Sequence, residues 1–316
     1  MVKLFYKEKD ADKRIIHFCG LKFTYRRKYN IKSIDKNKIQ KEIDNFSESG
    51  LNSEPREKKV IISLTSFPQR MYDIHFTIYS LLTQSTKPDM VILWLGEDKF
   101  PNREKDLPAN ILKLMNNGLT VKFCSDIRSY TKLIPALHEF PEAILVTADD
   151  DIFYEKNWLE LLYREYLNNP NAIHCHRANG ITLSNNEINS DKKWISPDKM
   201  KSSGMSFKHF LTGVGGVLYP PHSLYKDVLN EEKFMQCAPR HDDAWFWAMA
   251  VLNGTPINII NNNINSLTYV NPERELQFNG ETTLWASNKN EGNSQISKII
   301  ENYPQITEKI LNGVKA

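Results

Sequence analysis

The sequence predicts an α/β protein: a mostly parallel, twisted sheet with helices on both faces. Three observations predict it. Apolar runs of strand length recur at residues 60–64, 90–95, 119–124 and 143–148. The segments between them carry apolar residues at helical spacing, and strands alternating with helices imply crossover connections and a parallel sheet. The chain is also long enough to bury a sizeable core, with 316 residues, 41% of them hydrophobic and 25% charged.

The elements follow in order. Val60-Ile61-Ile62-Ser63-Leu64 is the first strand of the pattern, and Pro68 ends it. Residues 73–83 place Ile74, Ile78, Leu81 and Leu82 on one helical face. A second strand spans 90–95. A short helix over 111–115 stops at Asn116-Asn117-Gly118. The third strand is 119–124. Residues 133–140 read as a helix, since Pro135 is tolerated in a first turn. The fourth strand is 143–148, and 156–167 is an aromatic-rich amphipathic helix. The pattern then loosens: a strand at 172–176, a long polar loop over 178–205, a helix over 242–252, short strands at 257–260 and 267–270, a loop over 279–294 and a last helix over 294–302, stopped by Pro304.

Charge divides the chain. Residues 1–41 hold 13 Lys+Arg against 4 Asp+Glu, a net of +9, which leaves 28 against 34, or −6, for the remainder. This predicts two parts, a basic N-terminal arm and linker over 1–58 and a larger domain over 59–316. An anionic membrane surface and nucleic acid both suit a basic arm. The run from Arg14 to Tyr25, apolar and aromatic beside Arg26, Arg27 and Lys28, suits a membrane headgroup boundary; a small hairpin packed on the body is the plainer alternative. Residues 29–59 read as a polar linker with a helix near 39–46. No run approaches the ~20 apolar residues of a membrane span, and no signal-peptide core opens the chain. Cys19, Cys124, Cys175 and Cys237 show no CxxC spacing, which argues against zinc and a disulfide framework. The expectation is a cytoplasmic protein, peripheral at most.

The most informative junction is Ala143-Ile144-Leu145-Val146-Thr147-Ala148 running into Asp149-Asp150-Asp151. Three consecutive carboxylates repel one another unless a cation sits among them, and hard cations such as Mg²⁺ or Mn²⁺ take oxygen ligands. Continued strand geometry would point Asp149 and Asp151 the same way. The carboxyl edge of an open α/β sheet is the usual place for a ligand. Asp151 with Asp149 is the metal pair on this reading, and Asp149 or Asp150 can also bind nucleotide or sugar hydroxyls. Lys132 and Arg70 supply positive charge at the phosphates, Arg128 less so. Asp243, then Asp242, are the candidates for a base that deprotonates an acceptor hydroxyl. A helix N-cap is the competing role for one of them. Trp245 and Trp247 suit either sugar stacking or the core. Gly213 to Gly216 would allow close backbone approach to a sugar. His174 and His176 read as surface histidines or a transition-metal pair.

Four segments together resemble bacterial glycosyltransferases of the GT-A fold, family 2-like, that build surface polysaccharide. Ile62-Ser63-Leu64-Thr65-Ser66-Phe67-Pro68-Gln69-Arg70 is similar to their first strand and nucleotide loop, and Thr147 to Asp151 to their DxD motif. Gly213 to Pro221 is similar to their acceptor-side glycine loop. His241-Asp242-Asp243-Ala244-Trp245-Phe246-Trp247 resembles the motif carrying the base in inverting members. The resemblance covers residues 60–270, and it, not charge, implies the division of the larger domain into a nucleotide half (59–152) and an acceptor half (153–316). It implies Thr65, Ser66, Arg70, Lys132, Asp149 and Asp150 at the nucleotide, and Asp151, Asp149 and a downstream His241 at Mn²⁺ or Mg²⁺. It implies Gly215, Gly216 and Trp245 at the sugars. It implies a nucleotide-sugar donor, UDP-linked, a saccharide or lipid-linked glycan acceptor of lipopolysaccharide or capsule type, hexosyl or N-acetylhexosaminyl transfer with inversion, and no nucleic acid. The alternatives are a nucleotidyl- or phosphotransferase acting on a sugar, and a non-catalytic glycan- or nucleic-acid-binding module.

Overall fold

The computed structural model describes residues 5–10, 13–18, 21–26, 32–200, 204–273 and 284–314. The arm is a three-stranded antiparallel meander of β1 (Phe5–Asp10), β2 (Lys13–Phe18) and β3 (Leu21–Arg26). A short β4 (Lys32–Ser33) and α1 (Lys36–Asn45) follow, the helix capped by the Asp35 carboxylate on the Lys38 N–H. Ile43 of α1 is fully buried, so the chain is already part of the body before residue 59.

The body alternates strands and helices as the periodicity predicts. β5 (Val60–Ser66), α2 (Ile74–Leu82), β6 (Met90–Gly96), α3 (Ala109–Met115), β7 (Leu119–Cys124), α4 (Ile134–Glu139), β8 (Ile144–Thr147) and α5 (Trp158–Asn168) form the first half. The second half adds β9 (Ile173–Cys175), β10 (Ala178–Gly180), β11 (Leu183–Ser184), β12 (Glu187–Ile188), β13 (Met205–Ser206), β14 (His209–Leu211) and β15 (Val217–Tyr219). It closes with α6 (Glu231–Cys237), α7 (Asp242–Asn253), β16 (Ile257–Ile259), β17 (Thr268–Tyr269), α8 (Leu284–Asn302) and α9 (Gln305–Asn312).

The central sheet has eight strands in the order β13-β16-β9-β15-β8-β5-β6-β7. All neighbours from β7 to β8 are parallel, β15 runs antiparallel between β8 and β9, β16 is parallel to β9, and β13 is antiparallel at the edge. This is the mostly parallel α/β sheet of the sequence reading. Strands covered on both faces read as continuous apolar runs, and side chains alternate between two cores. Ile61, Ile92 and Leu145 join the core under α4, α7, α8 and α9, whereas Ile62, Leu93 and Val146 join the core under α1, α2, α3 and α5.

Three sequence readings change. Residues 178–205 are not a plain polar loop: β10 pairs with β14, and Ile181 is buried with them. The loop expected over 279–294 is helical from Leu284. β8 ends at Thr147, so the Asp triplet leaves the strand and its side chains need not alternate.

Candidate active site

Every candidate loop leaves the same edge of the sheet. β5, β6, β7 and β8 all point their carboxyl ends there. The antiparallel β15 begins there, because Val217 pairs with Thr147. That edge collects Arg70 from the turn after β5, Lys132 from the 3-10 turn after β7, Asp149–Asp151 after β8, Gly213–Gly216 before β15 and Asp242–Asp243 at the start of α7.

Lys132 is the centre of one group. Its Nζ donates to Asp149 Oδ1 at 2.7 Å and lies 3.2 Å from Asp242 Oδ2. The Ser63 hydroxyl, itself bonded by the Trp94 indole N–H, donates to the Lys132 carbonyl at 2.6 Å and fixes its backbone. Burial opposes the ammonium charge, but Asp149, Asp242 and Asp243 outweigh it and hold Lys132 well above the ordinary lysine range. It is a buried ion-pair partner. Burial pushes Asp149 up, and Asp151 adds to the push against the pull of Lys132. Asp242 moves the other way: burial raises it, yet Lys132 prevails and its carboxyl stays low.

Arg70 is the centre of the second group. Its Nη1 donates to Asp151 Oδ2 at 2.7 Å and lies 3.4 Å from Asp150 Oδ1. The Ser66 hydroxyl donates to Asp150 Oδ2 at 2.5 Å. Burial pushes the Asp150 carboxyl up to about 6 even beside Arg70. The strand-based pairing of Asp149 with Asp151 is therefore replaced by another: Asp150 and Asp151 share Arg70, while Asp149 turns to Lys132.

Asp243 is held differently. Both of its oxygens accept from the Gly213 N–H, at 3.0 Å each. Burial, then the Asp242 charge, push its carboxyl up to about 7. Neither aspartate is the N-cap; His241 occupies that position and makes no side-chain cap bond. Both carboxylates are thus left for the site. His241 packs against Phe210, and burial lowers its pKa.

The glycines of the loop before β15 have different neighbours. Gly216 has φ +93°, and a Cβ there would lie 2.3 Å from Trp158 Cζ2. Gly215 offers its carbonyl to the Trp158 indole at 2.8 Å. Gly216 thus serves close packing on Trp158, a Cβ at Gly215 would lie 2.9 Å from Arg177 Cγ, and Gly213 is the one that reaches the charged group: a Cβ there would lie 2.8 Å from Asp243 Oδ1 and 3.2 Å from Lys132 Nζ. Trp245 is no sugar platform. It is fully buried, its indole N–H donates to the Val228 carbonyl at 3.2 Å, and its ring meets Phe234 edge-on. Trp247 is likewise core. The Thr65 hydroxyl donates to the Trp94 carbonyl, tying β5 to β6, and Arg128 donates to the Pro239 carbonyl at 3.1 Å.

Tyr154 is a participant that sequence reasoning missed. Its hydroxyl accepts from the Asp149 N–H at 2.8 Å and donates to the Val214 carbonyl at 3.4 Å, so it joins the acidic turn to the glycine loop. Its position three residues after Asp151 was the only available signal. His174 and His176 are fully buried, neither surface residues nor a free metal pair. His174 bonds the Asn169 carbonyl and the Asn258 amide; His176 bonds the Trp158 carbonyl and the Ile264 N–H.

The donor set can be tested against a divalent cation. Among the described residues no three His, Cys, Asp or Glu side chains converge on one point. Mg²⁺ commonly needs fewer, since it binds through one or two carboxylates plus substrate phosphates. The two groups and Asp243 together hold five carboxylates against two cations. Among the described residues only one oxygen each of Asp149 and Asp151 is engaged. Oxygen-only donors with a carboxylate excess fit a hard cation of this kind.

No family model, of glycosyltransferases or of anything else, matches the chain, and no curated protein matches it. Among solved structures the chain is similar to a CMP:2-keto-3-deoxy-manno-octonic acid synthetase complexed with CTP. The identity is 12% over 66% of this chain and 94% of that one, with a TM-score of 0.38. It is also similar to the 4-diphosphocytidyl-2C-methyl-D-erythritol synthase of Anaerococcus prevotii DSM 20548, with 11% identity over 57% of this chain and 77% of that one and a TM-score of 0.35. Likeness of this degree decides nothing about substrate or reaction, which rest on the residues themselves. No helix among the described residues is long and apolar enough to cross a membrane.

Proposed function

We propose that the chain is a glycosyltransferase that moves a sugar from a nucleoside diphosphate to a hydroxyl acceptor, with Asp243 as the general base. The observation that carries this reading is the state of Asp243. A carboxylate fixed by the Gly213 N–H and kept near a proton affinity of about 7 is poised to take a proton at neutral pH. It sits at one side of the charged cluster, with Lys132 and Asp149 beyond it. The acceptor O–H would lose its proton to Asp243 while its oxygen bonds to the anomeric carbon. The bond from that carbon to the diphosphate oxygen breaks, and the diphosphate leaves with the electron pair. Lys132 and Arg70 would stabilise the charge that develops on it. Mg²⁺ or Mn²⁺, when bound by Asp149 and Asp151, would supply Lewis-acid neutralisation of the same charge. Uridine as the donor base and inversion at the sugar come from the motif resemblance.

Nucleotidyl transfer onto a sugar is the second reading. Two buried cations beside a nucleotide-type loop favour it, because attack at a phosphorus uses the same charge stabilisation. The carboxylate excess weighs against it, since a triphosphate brings still more negative charge into the pocket. The two readings differ in product. Glycosyl transfer releases a nucleoside diphosphate from a nucleotide sugar; nucleotidyl transfer releases pyrophosphate from a nucleoside triphosphate and a sugar. Nucleotide sugars with Mn²⁺ should stabilise the protein thermally, and the best donor should turn over with diphosphate release. Asp243→Asn should keep donor binding and lose about a thousand-fold in turnover. Pyrophosphate release, or an unimpaired Asp243→Asn enzyme, overturns the glycosyl-transfer reading.

A further inference from the structure

We infer that the N-terminal meander is a docking face for an anionic lipid surface. β3 is an edge strand of the meander, and it exposes two large apolar side chains: Leu21 is 60% and Phe23 53% accessible. Two residues apart on a strand, they point to the same face, and the register places Ile16 of β2 directly opposite Phe23. His17 pairs with Lys22 on the other face. An open edge strand with an exposed apolar face pairs or aggregates unless something covers it.

Charge selects the occupant. The segment 1–41 carries a net of +9, and the basic run Arg26-Arg27-Lys28 begins at the last residue of β3. An aliphatic side chain such as Leu21 has no stacking partner in a nucleic acid but gains an apolar phase at the acyl boundary of a bilayer. Apolar insertion combined with basic residues near anionic headgroups is how reversible interfacial binding arises.

The attachment of the arm gives this docking a direction. Five residues separate Arg26 from Lys32, a leash of six chain steps and at most about 20 Å. β4 pairs with β17, and Tyr269 of β17 bridges Ile152, the residue after Asp151. Lys32 also pairs with Glu155 at 2.7 Å. A surface bound by the meander therefore lies on a short tether from the acidic turn. This inference is independent of the reaction proposed above.

Co-sedimentation of the full chain with vesicles tests it. Binding to phosphatidylcholine vesicles containing about 30% phosphatidylglycerol is expected, with little binding to phosphatidylcholine alone. Affinity should fall about ten-fold or more as salt rises from about 0.05 to about 0.5 M. The Leu21→Ser/Phe23→Ser double variant should bind about ten-fold more weakly, and Thr24→Ser on the opposite face should bind as the parent does. Should the double variant fail to fold, Arg26→Ser/Arg27→Ser/Lys28→Ser tests the charge separately and should also bind about ten-fold more weakly. Equal binding to neutral vesicles, no binding to either, or full binding by the variants overturns the inference. So does a single-stranded oligonucleotide that binds as tightly as the anionic vesicles at the same salt.

Discussion

At the scale of single residues, the site is a balance of unlike charges in which each cation restrains more carboxylate than it can neutralise. Lys132 is the sharpest case, since it is only 9% exposed and faces Asp149 and Asp242 together. Removing one partner of a buried ion pair leaves an uncompensated charge, which costs more than the pair contributes. Lys132→Met should therefore lower unfolding stability by about 3 to 5 kcal/mol, read as a lower urea midpoint with an unchanged slope. A loss below about 1 kcal/mol would mean water already screens the group. These residues were legible because carboxylates directly after an apolar strand and a lysine at a strand exit are local signals. Tyr154 was illegible, since a tyrosine hydroxyl reaching across to Val214 is a fact of tertiary packing. Trp245 was misread for the same reason: an aromatic beside an acidic motif looks the same in sequence whether its helix is half-covered or enclosed. α7 is enclosed, with every residue from Ala244 to Val251 buried.

At the scale of elements, the glycines show how one residue type performs different tasks. Gly254 ends α7 in the left-handed region at φ +81°, with its N–H on the Val251 carbonyl, and a Cβ there would meet only Lys309 Nζ at 3.8 Å. Gly216 also has positive φ, but its missing side chain is filled by Trp158. Gly254→Ala should cost about 1 kcal/mol, the strain of a left-handed alanine alone. Gly216→Ala adds a collision with a fully packed ring and should cost about 3 kcal/mol or more. Thermal melting of the two variants checks the difference; similar midpoints would show that Trp158 can shift. The pattern from residue 60 to 168 was readable because β5 to β8 are parallel neighbours in the central sheet and each helix has a clear apolar face. The later elements are two- and three-residue strands such as β10 and β15, too short for periodicity to register. The first half of α8 reads as a loop because its Asn and Gly residues have weak helical preference, whereas burial of Ile296 and Ile299 in the second half, which reads as a helix, anchors the whole element.

At the scale of the whole molecule, two sets of buried titratable groups pull stability in opposite directions as pH falls. The sheet topology that gathers the carboxylates at one edge also places His174 on β9 between β15 and β16, a pairing that no local pattern announced. Burial holds His174 and His176 at about 4, against 6.5 for an ordinary histidine. Between those values the unfolded chain binds protons that the folded chain refuses, so each histidine subtracts stability as pH falls from about 6.5 to about 4 and nothing above that range. Asp243, raised to about 7, and Asp150, raised to about 6, do the reverse: the folded state takes up their protons first and is stabilised by acid. A pH scan of the parent protein mixes the two sets, and a His174→Gln variant separates them. Among the described residues His174 bonds only Asn169 and Asn258, and it has no carboxylate among the causes of its shift, so the carboxylate contributions cancel between parent and variant. At pH 7.5 the parent should be the more stable by the worth of its two hydrogen bonds, about 1 to 3 kcal/mol. The parent should lose about 2 kcal/mol relative to the variant by pH 5, closing or inverting that gap. Urea midpoints of both proteins at the two pH values measure it. A gap that stays constant would mean that His174 titrates alike in the folded and unfolded chain, and that the buried face of β9 is open to water.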